Sequence, residues 1–213
     1  LFKVTGIGYE PKGYLLSEGD NQANPKDFPD LNKALVIGTL CNGAQLVGDD
    51  NGYRIVGDPT EGAILTAARK AGLLKEAKEL EFSFVEEIPF DPERKKMTVV
   101  RKSEETLSAF VKGAPDILLG DCAYIEENGS ARALTGEDRD KILKVNADLA
   151  NQAMRVLAVA YKVLDKKAEK YEAKLIENNL TFVGLVAMID PPREEVRQAI
   201  KECKEAGIKT VMI

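Results

Sequence analysis

Histidine is absent from this chain, and with it go His-based catalytic triads and His metal sites. Cysteine is scarce: Cys41, Cys122 and Cys203 are widely separated and odd in number, which fits neither a disulfide framework nor a zinc-ligand spacing. A reducing, cytoplasmic setting is the default for such a composition. Long apolar runs are also missing. The stretches near "LVIGTLC" and "TFVGLVAMI" fall well short of the roughly 18 residues that a spanning helix needs, so no direct membrane insertion of this chain is expected. Nor is there an excess of positive charge: 30 Lys and Arg against 35 Asp and Glu leave a net charge of -5. That balance argues against a nucleic-acid surface or a polybasic membrane footprint, while small anions could still bind at local basic clusters. Neither GxxxxGK[ST] nor GxGxxG occurs. A nucleotide, if one binds, is held by another arrangement than the usual glycine-rich cradles.

What is present is a chain of 213 residues with 44% hydrophobic content and regular glycine and proline punctuation, enough to bury a real core. The pattern reads as an α/β chain of the α+β type, a mainly antiparallel sheet flanked by helices. "FKVTGIGY" reads as a strand, residues 10–30 as a polar loop, and 31–47 as a helix with Ala34, Leu35, Ile37, Cys41 and Ala44 at helical spacing. After the short strand "YRIVG", the stretch "DPTEGAILTAARKAG" carries a full set of helix signals: Asp58 as cap, Pro59 in the first turn, Glu61 in a capping-box position and Gly72 as the stop. Strands are expected at "LEFSFVEEI", "KMTVVRKS" and "TLSAFVK", then a short helix opened by Pro115 and a hairpin turning at Asn128-Gly129. Thr135 caps a helix to about Met154, "RVLAVAYKVL" is a strand, 165–178 a solvated helix and "LTFVGLVAMI" a strand. The last stretch, "DPPREEVRQAIKECKEAGIKTVMI", reads as a strand exit, a proline-started helix and a new buried strand, the second half of a βαβ unit. Both ends of the chain read as cut from a longer protein.

The candidate chemistry sits at a few junctions. In "IPFDPERKKMTVV", Phe90 lies between a strand end and a turn crowded with Arg94, Lys95 and Lys96, and an aromatic face beside cations suits a base and its phosphates. The commoner reading of that pattern is a core phenylalanine at a sheet edge followed by solvated charges. Glu61 is more often a capping-box residue than a ligand. Lys112 closes "LSAFVKGAPD" as strand-end lysines often do, and Arg155 could simply face a helix C-terminus. No one of these settles the matter alone.

Their order does. "GDPTEGAIL", "FDPERKKMTVV", "VKGAPD", "MRVLAVA" and "MIDPPREEV" follow one another at spacings that resemble the nucleotide-binding domain of P-type cation-transporting ATPases, most of all the calcium-pump-like type II subgroup. The likeness runs from about Phe2 to Ile213. It implies a nucleotide-binding domain over 1–190 and the incomplete start of a phosphorylation domain over 191–213. It further implies ATP as ligand, with Mg²⁺ held together with the phosphorylation domain. The phosphorylation and actuator domains of the same pump are the implied partners, and the setting is the cytoplasmic side of an integral membrane protein.

The resemblance also implies roles. Phe90 matches the aromatic that stacks on adenine, Glu61 the acidic residue near the adenine amino group, and Lys112 with Gly113 the family's KGAP(E/D) motif at the base of the pocket. In this reading Gly113 and Ala114 leave the backbone open to a close-lying ligand. Lys95 and Arg155 match residues near the phosphates or ribose, and Asp190 and Arg193 belong to a DPPR hinge motif. One departure stands out. Where some calcium pumps carry an arginine on the phosphate, this chain has Pro92, and Arg94 is not assumed to replace it. Two other classes compete with this reading. A haloacid-dehalogenase-like phosphatase needs a DxDx(T/V) run that is absent, and a non-enzymatic nucleotide-binding regulator would be told apart by the flanking reading frame.

Overall fold

The structure is a computed structural model, and it describes residues 1–50, 52–165, 170–190 and 194–211. At its centre lies a seven-stranded sheet in the order β5-β6-β7-β10-β11-β8-β9. The strands are β5 (Ser83–Asp91), β6 (Lys96–Lys102), β7 (Leu107–Gly113), β8 (Cys122–Glu127), β9 (Ser130–Ala133), β10 (Arg155–Leu164) and β11 (Leu180–Met188). Every neighbouring pair is antiparallel except β11 with β8. Two small ribbons stand outside it, β1 (Lys3–Val4) with β2 (Leu15–Leu16) and β3 (Gln45–Asp49) with β4 (Gly52–Val56).

Strand alternation divides the helices between two faces. On one face α1 (Pro29–Leu40) lays Val36, Ile37 and Leu40 against Met97, Val99, Phe110 and Val159. The helices α2 (Pro59–Lys70) and α3 (Lys75–Glu81) pack around α1. On the other face α4 (Pro115–Gly120) buries Leu118 and Leu119 against Val111, Ala158, Ala160 and Phe182, with Ile142 of α5 (Gly136–Ala150) closing over them. Phe110 and Val111, or Val159 and Ala158, are chain neighbours that serve opposite cores. This is the two-sided burial of a central sheet. A short turn of helix, α6 (Ala173–Ile176), leads into β11, and α7 (Glu194–Glu205) follows it.

The departures from the sequence reading have local causes. The helix expected over 31–47 stops at Leu40, because the Asn42 side chain takes over: its Nδ2 donates to the Gly38 carbonyl at 3.1 Å and its Oδ1 accepts from the Ala44 N–H at 2.9 Å. The strand expected over "FKVTGIGY" is reduced to Lys3–Val4, since Gly6 and Gly8 adopt φ of +82° and +68°. Residues 75–81, read in part as strand, are helical, as a Lys/Glu/Ala/Leu-rich run favours. Of the helix expected over 165–178, Ala173–Ile176 is helical, and 166–169 lie outside the described residues. The buried strand expected at the end is not seen among the described residues: Ile208 is 59% and Val211 72% exposed, and extended chain without a neighbouring strand gains no ladder.

The cap of α5 was legible and generates a test. Thr135 accepts from the Asp138 N–H at 3.2 Å, and Asp138 accepts from the Thr135 N–H at 3.0 Å, a reciprocal capping box. The Arg132 guanidinium, bonded to both Asp138 oxygens, and the Thr135 groups hold this carboxyl well below the usual range. A carboxyl depressed in the folded state adds stability above its unfolded value, and that stability is lost as pH falls through the folded value. Asp138→Asn is therefore expected to be less stable than wild type at neutral pH, with the gap closing as pH is taken well below 3.8 in urea titrations. Thr135→Ala should cost about 1 kcal/mol at neutral pH.

Candidate functional site

Register brings distant parts of the sequence to one end of the sheet. Asp91 pairs with Lys96, Lys96 with Gly113, Gly113 with Ala158, and Ala158 with Leu185, a row that crosses five strands. Around this row lie the end of β5, the start of β6, the end of β7, the start of β10 and the end of β11. Phe90, Lys95, Lys112, Gly113, Arg155 and Asp190 all fall at that end.

Lys112 pairs with Met97 and so faces the α1 side, where it is buried, with its side chain 8% exposed. Its ammonium donates to the Cys41 carbonyl at 2.8 Å and to Glu61 Oε1 at 2.6 Å. The other Glu61 oxygen accepts from the Gly43 N–H at 2.9 Å, and the Glu61 carbonyl accepts from Asn42 Nδ2 at 3.0 Å. Glu61 therefore does not complete a capping box as its position suggested. Asp58 caps α2 by accepting from the Thr60 and Glu61 N–H groups, while the Glu61 side chain turns to Lys112 and the 41–43 connection. Next to them, burial pushes the Cys41 thiol up to about 11 even though the Lys112 charge pulls the other way. This cysteine is an inert packing group at neutral pH.

Phe90 is not a core residue: it is 61% exposed. It directly precedes Asp91, inside the register shift between Ile88 and Asp91, at the sheet end where Met97 pairs with Lys112. Lys95 is exposed in the connection from β5 to β6, with a left-handed φ of +51°, and its carbonyl accepts from the Ala114 N–H at 2.9 Å. That bond ties "FDPERK" to "KGAP". Arg155 opens β10 and donates to Thr60 Oγ1 at 2.6 Å, in the first turn of α2. It thus faces a helix N-terminus and not the C-terminus considered from sequence. Asp190 is exposed just past β11, whose Met188 pairs with Arg155, and Arg193 lies outside the described residues.

One expectation changes in detail. The bare α-carbon of Gly113 is not open space on its Cβ side, where an added carbon would meet Lys96 Cβ at 2.6 Å and the Lys95 carbonyl oxygen at 2.7 Å. Glycine is required there by close approach of the β6 backbone. Arg94 is committed as well, bonded to Glu177 and, through Nη2 at 2.7 Å, to the Pro89 carbonyl. Thr60, Asn42 and Glu177 join or support this end of the sheet without any local sequence signal. A groove of about 820 Å³ lies elsewhere, between the β3–β4 ribbon, α2 and α3, and none of the candidate residues lines it. Among the described residues no group of His, Cys, Asp or Glu side chains could hold a metal ion, and no helix is long and apolar enough to cross a membrane.

Comparison with known proteins identifies the family. Residues 30–195 match the family model described as P-type ATPase, cytoplasmic domain N. This chain belongs to that family. The N domain is 45% identical over 214 residues to the "Calcium-transporting ATPase" of Bacillus subtilis, covering 100% of this chain and 24% of the relative. It is 41% identical over 174 residues to "Calcium-transporting ATPase 1" of Bacillus cereus, covering 82% of this chain and 19% of that protein. It is 35% identical over 217 residues to "Cation-transporting ATPase pma1" of Synechocystis, again 100% against 24%. The chain spans about a quarter or less of the length of these relatives.

The N domain's dependence on Gly113 can be measured. Gly113→Ala must displace the Lys95–Lys96 backbone and is expected to lower stability by about 1–3 kcal/mol in urea unfolding. Gly120→Ala, where nothing lies within 4 Å of an added carbon, should show no such steric loss.

Proposed function

We propose that this N domain binds ATP at the sheet end built by Phe90, Lys112 and Glu61, as one part of an ATP-driven cation pump. The observation that carries the reading is an exposed phenylalanine at the same end of the sheet as a buried lysine–glutamate pair. An uncovered aromatic ring beside polar groups suits adenine, whose face stacks and whose amino group can donate to a carboxylate such as Glu61. Arg155 supports a place for phosphates. A guanidinium is disfavoured at a helix N-terminus unless an anion stands near it. Asp58 is one such anion, its carboxyl lowered by hydrogen bonds from Thr60 and Glu61 and by Arg155 against the opposing effect of burial. A nucleotide phosphate would be another, with Lys95 close along the same edge.

The chain's share of the work is delivery. Phosphoryl transfer needs an in-line nucleophile and a cation that offsets charge on the transferred group. We assign both, including Mg²⁺, to a phosphorylation domain outside 1–190. This chain holds adenine and ribose and presents the γ-phosphate to an aspartate there, with Asp190 and Arg193 at the hinge. Alone it binds nucleotide and turns over nothing.

Isothermal titration tests the aromatic: Phe90→Ala should weaken ATP binding by about 1–3 kcal/mol. Phe84→Ala, which removes a ring 57% exposed and packed under Arg101, should leave affinity near wild type. Equal losses would refute the assignment. Amine labelling tests the edge. Lys112 is too buried to report, so exposed Lys95 is the probe: ATP should slow its modification while exposed Lys26 reacts unchanged. Unaltered labelling at Lys95 would remove it from the site.

A further inference from the structure

The face of the sheet away from Lys112 carries a second charged cluster that the nucleotide reading does not use. Glu177, the residue just after α6, keeps its side chain only 4% exposed. Its Oε1 accepts from Arg94 Nη1 and from Thr98 Oγ1 at 2.7 Å, and its Oε2 lies 3.7 Å from the Lys96 ammonium. Lys96 is bonded in turn to Asp121. A carboxylate this far from water is stable only when its donors are fixed in place, and all of these come from β6 or the connection that leads into it.

The connection itself is tightly determined. Asp91 Oδ1 accepts from the Glu93 N–H at 2.8 Å and the Arg94 N–H at 3.0 Å, while the Asp91 carbonyl accepts from the Lys95 N–H at 2.7 Å. Arg94 then folds back so that one guanidinium nitrogen meets Glu177 and the other donates to the carbonyl of Pro89, the residue before Phe90. One buried carboxylate thus grips, through one arginine, the backbone on which the exposed ring is mounted. Edge strands with a register shift, as here between Ile88 and Asp91, have few ladder bonds to do this themselves.

We propose that Glu177 is a positioning residue for nucleotide binding, acting through Arg94 on the 89–95 segment to hold Phe90 and Lys95 in their binding orientation. The inference rests on the assignment of Phe90 to the nucleotide. It also gives Arg94 a role that leaves it unable to serve as a phosphate contact in place of the arginine missing at Pro92.

The test is a double-mutant cycle on the full 213-residue chain, with ATP affinity read by isothermal titration and stability by urea unfolding. Glu177→Gln and Arg94→Met should each weaken ATP binding about fivefold when Phe90 is present, and clearly less in a Phe90→Ala background, where Lys95 alone remains to be positioned. Ile142→Ala, in the core beneath α5, should lower stability without changing affinity. Should Glu177→Gln fail to fold, Arg94→Met carries the test, because Thr98 and Lys96 still satisfy Glu177. Full affinity in both brace variants, an equal loss with and without Phe90, or an equal loss in Ile142→Ala would overturn the inference. If wild type binds no ATP, or Phe90→Ala binds as wild type does, the nucleotide assignment falls and this inference with it. If Phe90→Ala weakens binding and the brace variants do not, only this inference falls.

Discussion

The Lys112 ammonium has to be answered wherever it goes, and its burial organises the α1 side of this domain. An unpaired charge at that depth would cost several kcal/mol, and the structure meets it with a carboxylate from the first turn of α2 and a carbonyl from the residue after α1. Three elements distant in sequence are thereby held at one point: the end of β7, the end of α1 and the start of α2. The chain after α1 cannot continue as helix and still present the Cys41 carbonyl and the Gly43 N–H to this pair. Asn42, bonding back to Gly38 and across to Glu61, makes the break.

On the other face an inverse arrangement holds: a buried carboxylate surrounded by cations and a hydroxyl. Glu177 and the Lys112–Glu61 pair lie on opposite sides of the row Asp91–Lys96–Gly113–Ala158. The row is where β6 comes so close to β7 that only glycine fits. A polar network clamps this end of the sheet from both sides, and aliphatic packing fills the middle. Buried polar groups that are fully satisfied rigidify their surroundings, here beside an edge that carries the uncovered ring of Phe90.

Much of the fold was legible because it is local. The apolar strand-like runs of β6, β7, β10 and β11, the Asn128-Gly129 turn and the caps at Asp58 and Thr135 are determined by residues within a few positions of one another. The failures were local as well, but competitive. Helical spacing continued past Leu40 in the pattern, while a side chain at Asn42 offered the backbone other partners. At Gly6 and Gly8 the apolar rhythm of a strand met two residues that prefer to turn.

For the site, the sequence alone determined which side chains were unusual where they stood: Phe90 before a charged turn, Lys112 before Gly-Ala-Pro, Arg155 at a junction, and the order that resembled one family of pumps. Tertiary structure decided what each one touches. Glu61 had the spacing of a capping-box residue and became the partner of Lys112. Gly113 gives room to a neighbouring strand, and Arg94, one more cation in a basic run, is bound to Glu177. The reason is physical. Periodicity and capping are settled by neighbours along the chain, whereas the cost of burying a charge is settled by whichever groups the register of the sheet brings within hydrogen-bonding distance.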